Sequence, residues 1–362
     1  MYSQAFLKPD GRRLVLYGRA PISGVTDAPS PSREPHQPNA HLRWHPLRGE
    51  WVAYAGHRQH RTFLPPKEFN PLAPTVDPSL PTEMPAGAYD IAVFENLFPT
   101  FTPLAHDPPT AIVDTRPALG SCEVVVFTQD PHTSLGALPL WHLELLIEVW
   151  ADRTRALGAR EDVQYVFPFE NRGVEVGVTL QHPHGQIYAY PFVPPVPARE
   201  LTEQRVYFEA HGGRGLLEDL LAREIAEDRR LLYRGEHAVA LVPVCARYAY
   251  EGWVAPRRAV PSLPELTAVE RADLARALKT LLMKYDALWD RTFPYILACH
   301  QAPTDGQPHP EAHVHFQCYP AYRMRDRLKY LAGSEMGAGV FTADTLPEDT
   351  ARELQAVAVS IE

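Results

Sequence analysis

The sequence predicts an α+β fold of two tandem units, each an antiparallel sheet with a long helix, the two packed together. Three observations predict it. Strand-like and helix-like segments recur in the same order in both halves, and both series close on a His-x-His-x-Gln pattern. The composition, 45% hydrophobic and 22% charged over 362 residues, supplies apolar material for a sizeable core.

The first series opens with the strand-like run Cys122-Glu123-Val124-Val125-Val126-Phe127 and turn material around Pro131 and His132. A helix-like stretch from Leu140 to Ala159, an extended run from Val163 to Phe169 and His182-Pro183-His184-Gly185-Gln186 follow. The second opens with Ala238 to Val244 and enters a segment in which Leu266, Leu274, Leu278, Leu281, Leu282, Tyr285 and Leu288 fall at helical spacing. It continues with Tyr295 to Cys299 and ends on His313-Val314-His315-Phe316-Gln317, 131 residues after the first pair. Duplication of one small unit explains this order, with residues 1–195 and 196–362 as the units. The other explanation is that any two α+β segments look alike at this level. The 37 prolines concentrate at 21 to 38, 65 to 85 and 191 to 197, which read as loops or arms able to cover a site or a neighbouring subunit.

The formal net charge of −9 comes without a Lys/Arg run, so nothing favours binding to nucleic acid or to a membrane surface. The polar N-terminal segment lacks a secretory apolar run and no stretch is long enough to span a bilayer, which makes the cytoplasm the expected compartment. Cys122, Cys245, Cys299 and Cys318 are too few and scattered for a disulfide framework.

The histidine pairs carry the candidate chemistry. On a strand, residues i and i+2 share a face, so His182 and His184 are expected to point the same way, as are His313 and His315. Pro183 suits an edge or bulged position, and Gly185 allows the close backbone approach a phosphate requires. A neutral imidazole attacks phosphorus competently, and Gln186 could donate to a phosphoryl oxygen in the transition state. The alternative is a metal pair or two buried, hydrogen-bonded histidines. For the second pair, together with His300, metal ligation is favoured: three imidazoles and a carboxylate suit zinc or iron. Solvent-facing histidines in a loop that also holds His309 are the other reading.

Phe169-Glu170-Asn171-Arg172-Gly173, followed by the run from Gly177 to Gln186, resembles the active-site block of the galactose-1-phosphate uridylyltransferase family of the histidine-triad superfamily. Further likeness lies in Trp51-Val52 with His57-Arg58-Gln59-His60-Arg61, in Phe94-Glu95-Asn96 and Phe98-Pro99, and in Lys329 to Met336. The resemblance implies two histidine-triad-like units and a ping-pong exchange in galactose metabolism, the Leloir pathway. His184 would take a uridylyl group from UDP-glucose and pass it to galactose 1-phosphate. By position it implies Gln186 at the transferred phosphoryl group, Asn171 and Thr179 at the phosphates, and Arg58 and Arg61 at the nucleotide or sugar phosphate. Asn96 would lie at uridine, and Lys329 and Glu335 at the hexose and its phosphate.

The resemblance also implies a zinc or iron site of Glu200, His300, His313 and His315, and a homodimer whose sites borrow residues from the neighbouring subunit. A second zinc site, usual in the family, is expected to be missing. Asn70 and Ala73 stand where a Cys-x-x-Cys pair belongs, Pro131 where a histidine belongs with His132 one residue later, and only His182 is in register. A hydrogen-bond network is expected to orient His182 instead. Phe341 stands where some members carry a glutamine. Two alternatives remain: an ADP-sugar or dinucleoside polyphosphate phosphorylase using the same nucleophile, separated by base choice, and a metal-stabilised binding protein, against which the intact His184 argues.

Overall fold

The structure, a computed structural model, describes residues 1–60 and 70–361. The N-terminal half contributes β1 (Tyr2–Leu7), β2 (Arg13–Gly18), β3 (His41–His45), β4 (Glu50–Tyr54), β5 (Ile91–Glu95), β6 (Thr115–Pro117), β7 (Ser121–Val126), helix α1 (Leu140–Gly158), β8 (Tyr165–Arg172) and β9 (His184–Tyr190). Helices α2 (Pro195–Ala210) and α3 (Leu216–Glu227) lead into β10 (Leu231–Arg234), β11 (Ala238–Leu241), β12 (Gly252–Pro256), α4 (Ala268–Leu288), β13 (Tyr295–His300) and β14 (His315–Pro320). The short strands β15 (Tyr322–Met324) and β16 (Arg327–Leu328) and helix α5 (Pro347–Ala356) complete the described chain.

The two units share one sheet. Its eleven strands run β1-β2-β5-β7-β9-β8-β13-β14-β12-β11-β10, antiparallel throughout. The halves meet where β8 pairs with β13, and the order β7-β9-β8 on one side is mirrored by β12-β14-β13 on the other. The long helices α1 and α4 pack against each other on one face. Their apolar stripes, including Leu143, Leu146, Trp150, Leu274, Leu278 and Leu281, close the main core over Val125, Ile187, Val254 and Phe316. The capping box of Thr267 and Glu270 starts α4, Thr267 accepting the Glu270 N–H.

The opposite face carries the histidines. Gln186, Phe169, Ala298 and Gln317 form one cross-strand row through β9, β8, β13 and β14, so the two glutamines are about 14 Å apart on the same face. Because β9 and β14 run in opposite directions, His184 and His315, each two residues before its glutamine, lie at diagonal corners of that face. Phe167, Phe169, Tyr188 and Tyr190 fill the space between, with Phe169 edge-on to Tyr188 at 5.1 Å and Phe167 edge-on to His300 at 5.8 Å.

Two expectations need correction. Strands β9 and β14 begin at His184 and His315, so His182 and His313 precede the ladder and the shared-face argument does not govern them. Pro183 leads into a central strand, not an edge. Its carbonyl accepts the Phe127 N–H at 3.0 Å, and the Phe127 carbonyl, which Pro183 has no N–H to reach, pairs with His142 Nε2 at 2.5 Å. Of the proline-rich stretches, residues 21 to 38 are largely irregular, whereas Pro195 opens α2 as a first-turn proline.

Candidate active site

His184 enters β9 with its ring on the face away from the long helices. Its Nδ1 donates to the His182 carbonyl at 2.7 Å, which places the ring proton on Nδ1 and the lone pair on Nε2, the atom that would attack. The His182 ring is buried and held at both nitrogens. Nε2–H donates to the Thr128 carbonyl at 2.7 Å, and Nδ1 accepts from Asn70 Nδ2 at 2.9 Å. Burial lowers the His182 pKa, against the pull of that carbonyl, and so favours the neutral ring.

Gly185 has a different reason from the one the sequence suggested. A Cβ there would stand 2.8 Å from the Phe127 ring and 2.8 Å from the Phe169 carbonyl, so glycine serves packing towards the helix layer and not approach to a phosphate. Gln186 sits two residues beyond His184 on the same face, between Val124 and Phe169.

A cavity of about 570 Å³ opens at His184. Asn171, Val178, Leu180, Gln181, His182 and Pro183 line it, with Thr179 in the same connecting segment. Arg172 and Arg291 also line it, two cations that the sequence reading did not single out as site residues. Arg172 was legible as a member of the active-site block, whereas Arg291 follows α4 and only the fold brings it here. Arg172 pairs with Asp286 at 2.7 Å. Glu170, fully buried on the same wall, accepts from Tyr295 Oη at 3.0 Å, and burial pushes it up to about 7 against the opposing charge of Arg172.

Arg58 and Asn96 meet at Phe98, but neither lines the His184 cavity, and Asn96 lines a separate one with Glu95 and Cys122. Arg58 Nη1 donates to the Phe98 carbonyl at 2.9 Å and to Thr100 Oγ1 at 3.0 Å, while Asn96 Oδ1 accepts the Phe98 N–H at 2.8 Å. Arg61 lies outside the described residues. Lys329 and Glu335 lie 3.7 Å from each other and line a separate cavity of about 630 Å³. Arg291 stands between the two cavities, bonded to Tyr322 and Asp326. Within one chain the structure does not bring Lys329 and Glu335 to His184. Phe341 packs on Tyr248 and under Arg247.

At the other corner, ligand atoms of Glu200, His300 and His315 all lie within 4.8 Å of one another. Glu200 Oε2 is 2.7 Å from His300 Nδ1 without hydrogen-bond geometry, and that nitrogen is buried and otherwise unsatisfied. His313 stands outside this three-residue group: its Nε2 donates to the Pro256 carbonyl at 2.8 Å and its Nδ1 is buried with no hydrogen-bond partner. Gln317 Nε2 donates to Glu200 Oε1 at 2.9 Å. Burial opposes the charge of Glu200, but His300, His315 and Gln317 together hold it down to about 2; burial pushes His313 and His315 down to about 4. Buried nitrogens without a hydrogen-bond partner on His300 and His313, beside the Glu200 carboxylate, fit a divalent metal, whereas Gln317 Nε2 also donates to His315 Nε2 at 2.9 Å and would have to turn aside for that ring to ligate. The first corner does not fit one: Asn70 turns an N–H on His182, and Ala73 has no ligand atom.

An imidazole tied at Nδ1 to a backbone carbonyl beside a cation-lined cavity, on a sheet duplicated about the β8–β13 junction, fits the class of histidine-based group-transfer enzymes built from two α+β units. The sequence profiles of the galactose-1-phosphate uridyl transferase N-terminal and C-terminal domains match residues 32–194 and 200–361. The chain belongs to the galactose-1-phosphate uridylyltransferase family. It is 38% identical to the galactose-1-phosphate uridylyltransferase of Thermotoga maritima over 327 residues, covering 88% of this chain and 99% of that one. A solved uridylyltransferase structure superimposes with a TM-score of 0.79 at 33% identity, covering 87% of this chain and 97% of the other. An ADP-glucose phosphorylase from Arabidopsis thaliana, 22% identical over 89% of this chain and 100% of its own, shares the fold with a TM-score of 0.65.

Proposed function

We propose that the chain exchanges a uridylyl group between UDP-glucose and galactose 1-phosphate by a ping-pong reaction through a uridylyl-histidine at His184. The observation that carries this reading is the His184 Nδ1 bond to the His182 carbonyl at the mouth of the 570 Å³ cavity. Nε2 attacks the α-phosphorus of UDP-glucose; the P–N bond forms as the bond to the bridging oxygen breaks, and glucose 1-phosphate leaves with that oxygen. The ring becomes cationic in this step, and the carbonyl dipole at Nδ1 stabilises it. A phosphate oxygen of galactose 1-phosphate then attacks the same phosphorus, and the imidazole departs neutral. Gln186 donates to the transferred phosphoryl group, Asn171 and Thr179 bind the phosphates, Arg58 and Arg61 hold charge along the nucleotide or sugar phosphate, and Asn96 contacts uridine.

Glu200, His300 and His315 would hold zinc or iron, with His313, which lines the same small cavity, moving in as a fourth ligand. Bound there, far from His184, the ion would supply cross-linking of α2 to β13 and β14. Lys329 and Glu335 bind the hexose phosphate of a neighbouring subunit in a homodimer. Residues 1–195 and 196–362 are the duplicated units, α2 opening the second. No helix among the described residues is long and apolar enough to cross a membrane; a cytoplasmic enzyme of galactose metabolism is the corresponding reading.

Incubation with labelled UDP-glucose and, separately, labelled ADP-glucose tests base and nucleophile together. UDP-glucose should leave acid-labile, base-stable label on His184, and ADP-glucose should not. His184→Gly should lower exchange by more than about a thousandfold. Label from ADP-glucose alone, or turnover retained in that variant, sinks the assignment.

A further inference from the structure

We propose that Asn70 is a positioning residue for the transfer: its amide locks the His182 ring at the one nitrogen whose counterpart in the other half has no hydrogen-bond partner. The inference rests on His184 as nucleophile. The two halves repeat one arrangement almost atom for atom. His184 Nδ1 donates to the His182 carbonyl at 2.7 Å, and His315 Nδ1 to the His313 carbonyl at 2.8 Å. In both, the earlier ring gives its Nε2–H to a backbone carbonyl, His182 to Thr128 at 2.7 Å and His313 to Pro256 at 2.8 Å.

The halves diverge at Nδ1 of that earlier ring. In His313 it is buried with no hydrogen-bond partner, lining the same small cavity as Glu200, His300 and His315. In His182 it faces Asn70 Nδ2 at 2.9 Å. The amide cannot be turned the other way, because its Oδ1 accepts the Leu72 N–H at 3.0 Å. A donor at Nδ1 occupies the lone pair a metal would need, and it selects the tautomer with the proton on Nε2, the one the Thr128 carbonyl requires. Held at both edges, the ring cannot rotate, and the backbone of residue 182 stays with it. That backbone carries the carbonyl that sets the tautomer of His184. One hydrogen bond thus connects the proline-rich segment after residue 70 to the nucleophile.

Single-turnover labelling of the full chain with UDP-glucose tests this. In Asn70→Ala the rate of His184 uridylylation should fall roughly ten- to a hundredfold, while half-saturation by UDP-glucose changes less than about twofold. Asn70→Asp keeps the shape and the Leu72 hydrogen bond but presents an acceptor to Nδ1. It should lose rate comparably and add an ionisation to the pH–rate profile that Asn70→Ala lacks, a change that simple loosening of the segment would not produce. It also covers the case in which Asn70→Ala folds poorly. Labelling rates within twofold of the unaltered chain in both variants overturn the inference, as does a stoichiometric zinc ion that is lost in His182→Ala. If the unaltered chain never labels at His184, the assignment of the nucleophile fails instead.

Discussion

Single residues in this site are set by what lies behind them as much as by what they face. Gly185 presents its α-carbon to Phe127 and the Phe169 carbonyl, and the missing methyl lets β9 lie close enough to β8 for His184 to enter the strand in its present pose. Burial couples the charge of Glu170 to folding. Its folded pKa of about 7 against an ordinary 4.5 means that the folded chain binds the proton more tightly than the unfolded one. Stability is therefore lost as pH rises from 4.5 through 7 and levels off above. Glu170→Gln should remove that loss, melting higher than the unaltered chain at pH 8, by no more than about 3 kcal/mol, and alike at pH 4.5. An equal difference at both pH values would show that burial does not set this acid's charge.

At the scale of elements, the segments that the sequence could describe only as loops prove to hold the site. Leu72 and Met84, from the proline-rich stretch, pack on Leu14, Leu16, Phe94 and Val126, next to the point where Asn70 meets His182. The β1–β2 hairpin lies before the first residue matched by the family profile and adds two strands beyond β5. Its turn buries Lys8, Asp10 and Arg12 against Glu83. Arg12 also donates to Ser30 Oγ at 3.0 Å and to the Glu95 carbonyl at 2.9 Å, one residue before Asn96. Removing one charge from such a cluster strands the others. Arg12→Ala should cost about 3–5 kcal/mol in denaturant unfolding, and it should raise the UDP-glucose concentration needed for half-saturation because the Asn96 turn loses its tether. The succession of strands along the chain, the two long helices and the His-x-His-x-Gln positions were legible because hydrophobic period and motif are local properties. The hairpin cluster was not, since its four charges come from segments more than 70 residues apart.

For the whole molecule, the consequence of duplication is a division of labour between two copies of one arrangement. The first corner of the sheet carries His184, the candidate nucleophile, and the second carries Glu200 with the unpartnered buried nitrogens of His300 and His313. The cavity holding Lys329 and Glu335 is separate from the one at His184 within the chain, and Tyr330, Leu331, Met336 and Val340 around it are exposed. In the homodimer reading, two inactive chains complement each other. Mixing His184→Gly with Lys329→Ala under conditions that exchange subunits should restore activity in the hybrid, since one of its two sites then has both residues intact. A mixture as inactive as its components would place Lys329 outside the partner's site.

The sequence by itself determined the fold class, His184 as the candidate nucleophile and the lack of thiolates where the family's first metal site lies. Hydrophobic period, residue type at fixed spacing and the absence of cysteine at residues 70 and 73 are all written along the chain. Only the tertiary structure decided that His182 precedes the strand, that Gly185 answers to Phe127, that His313 lies beyond the tight group of Glu200, His300 and His315, and that Lys329 lines a cavity other than that of His184. Each of these depends on distance between segments remote in sequence. The direction of an imidazole nitrogen is fixed by the one partner that packing brings to it.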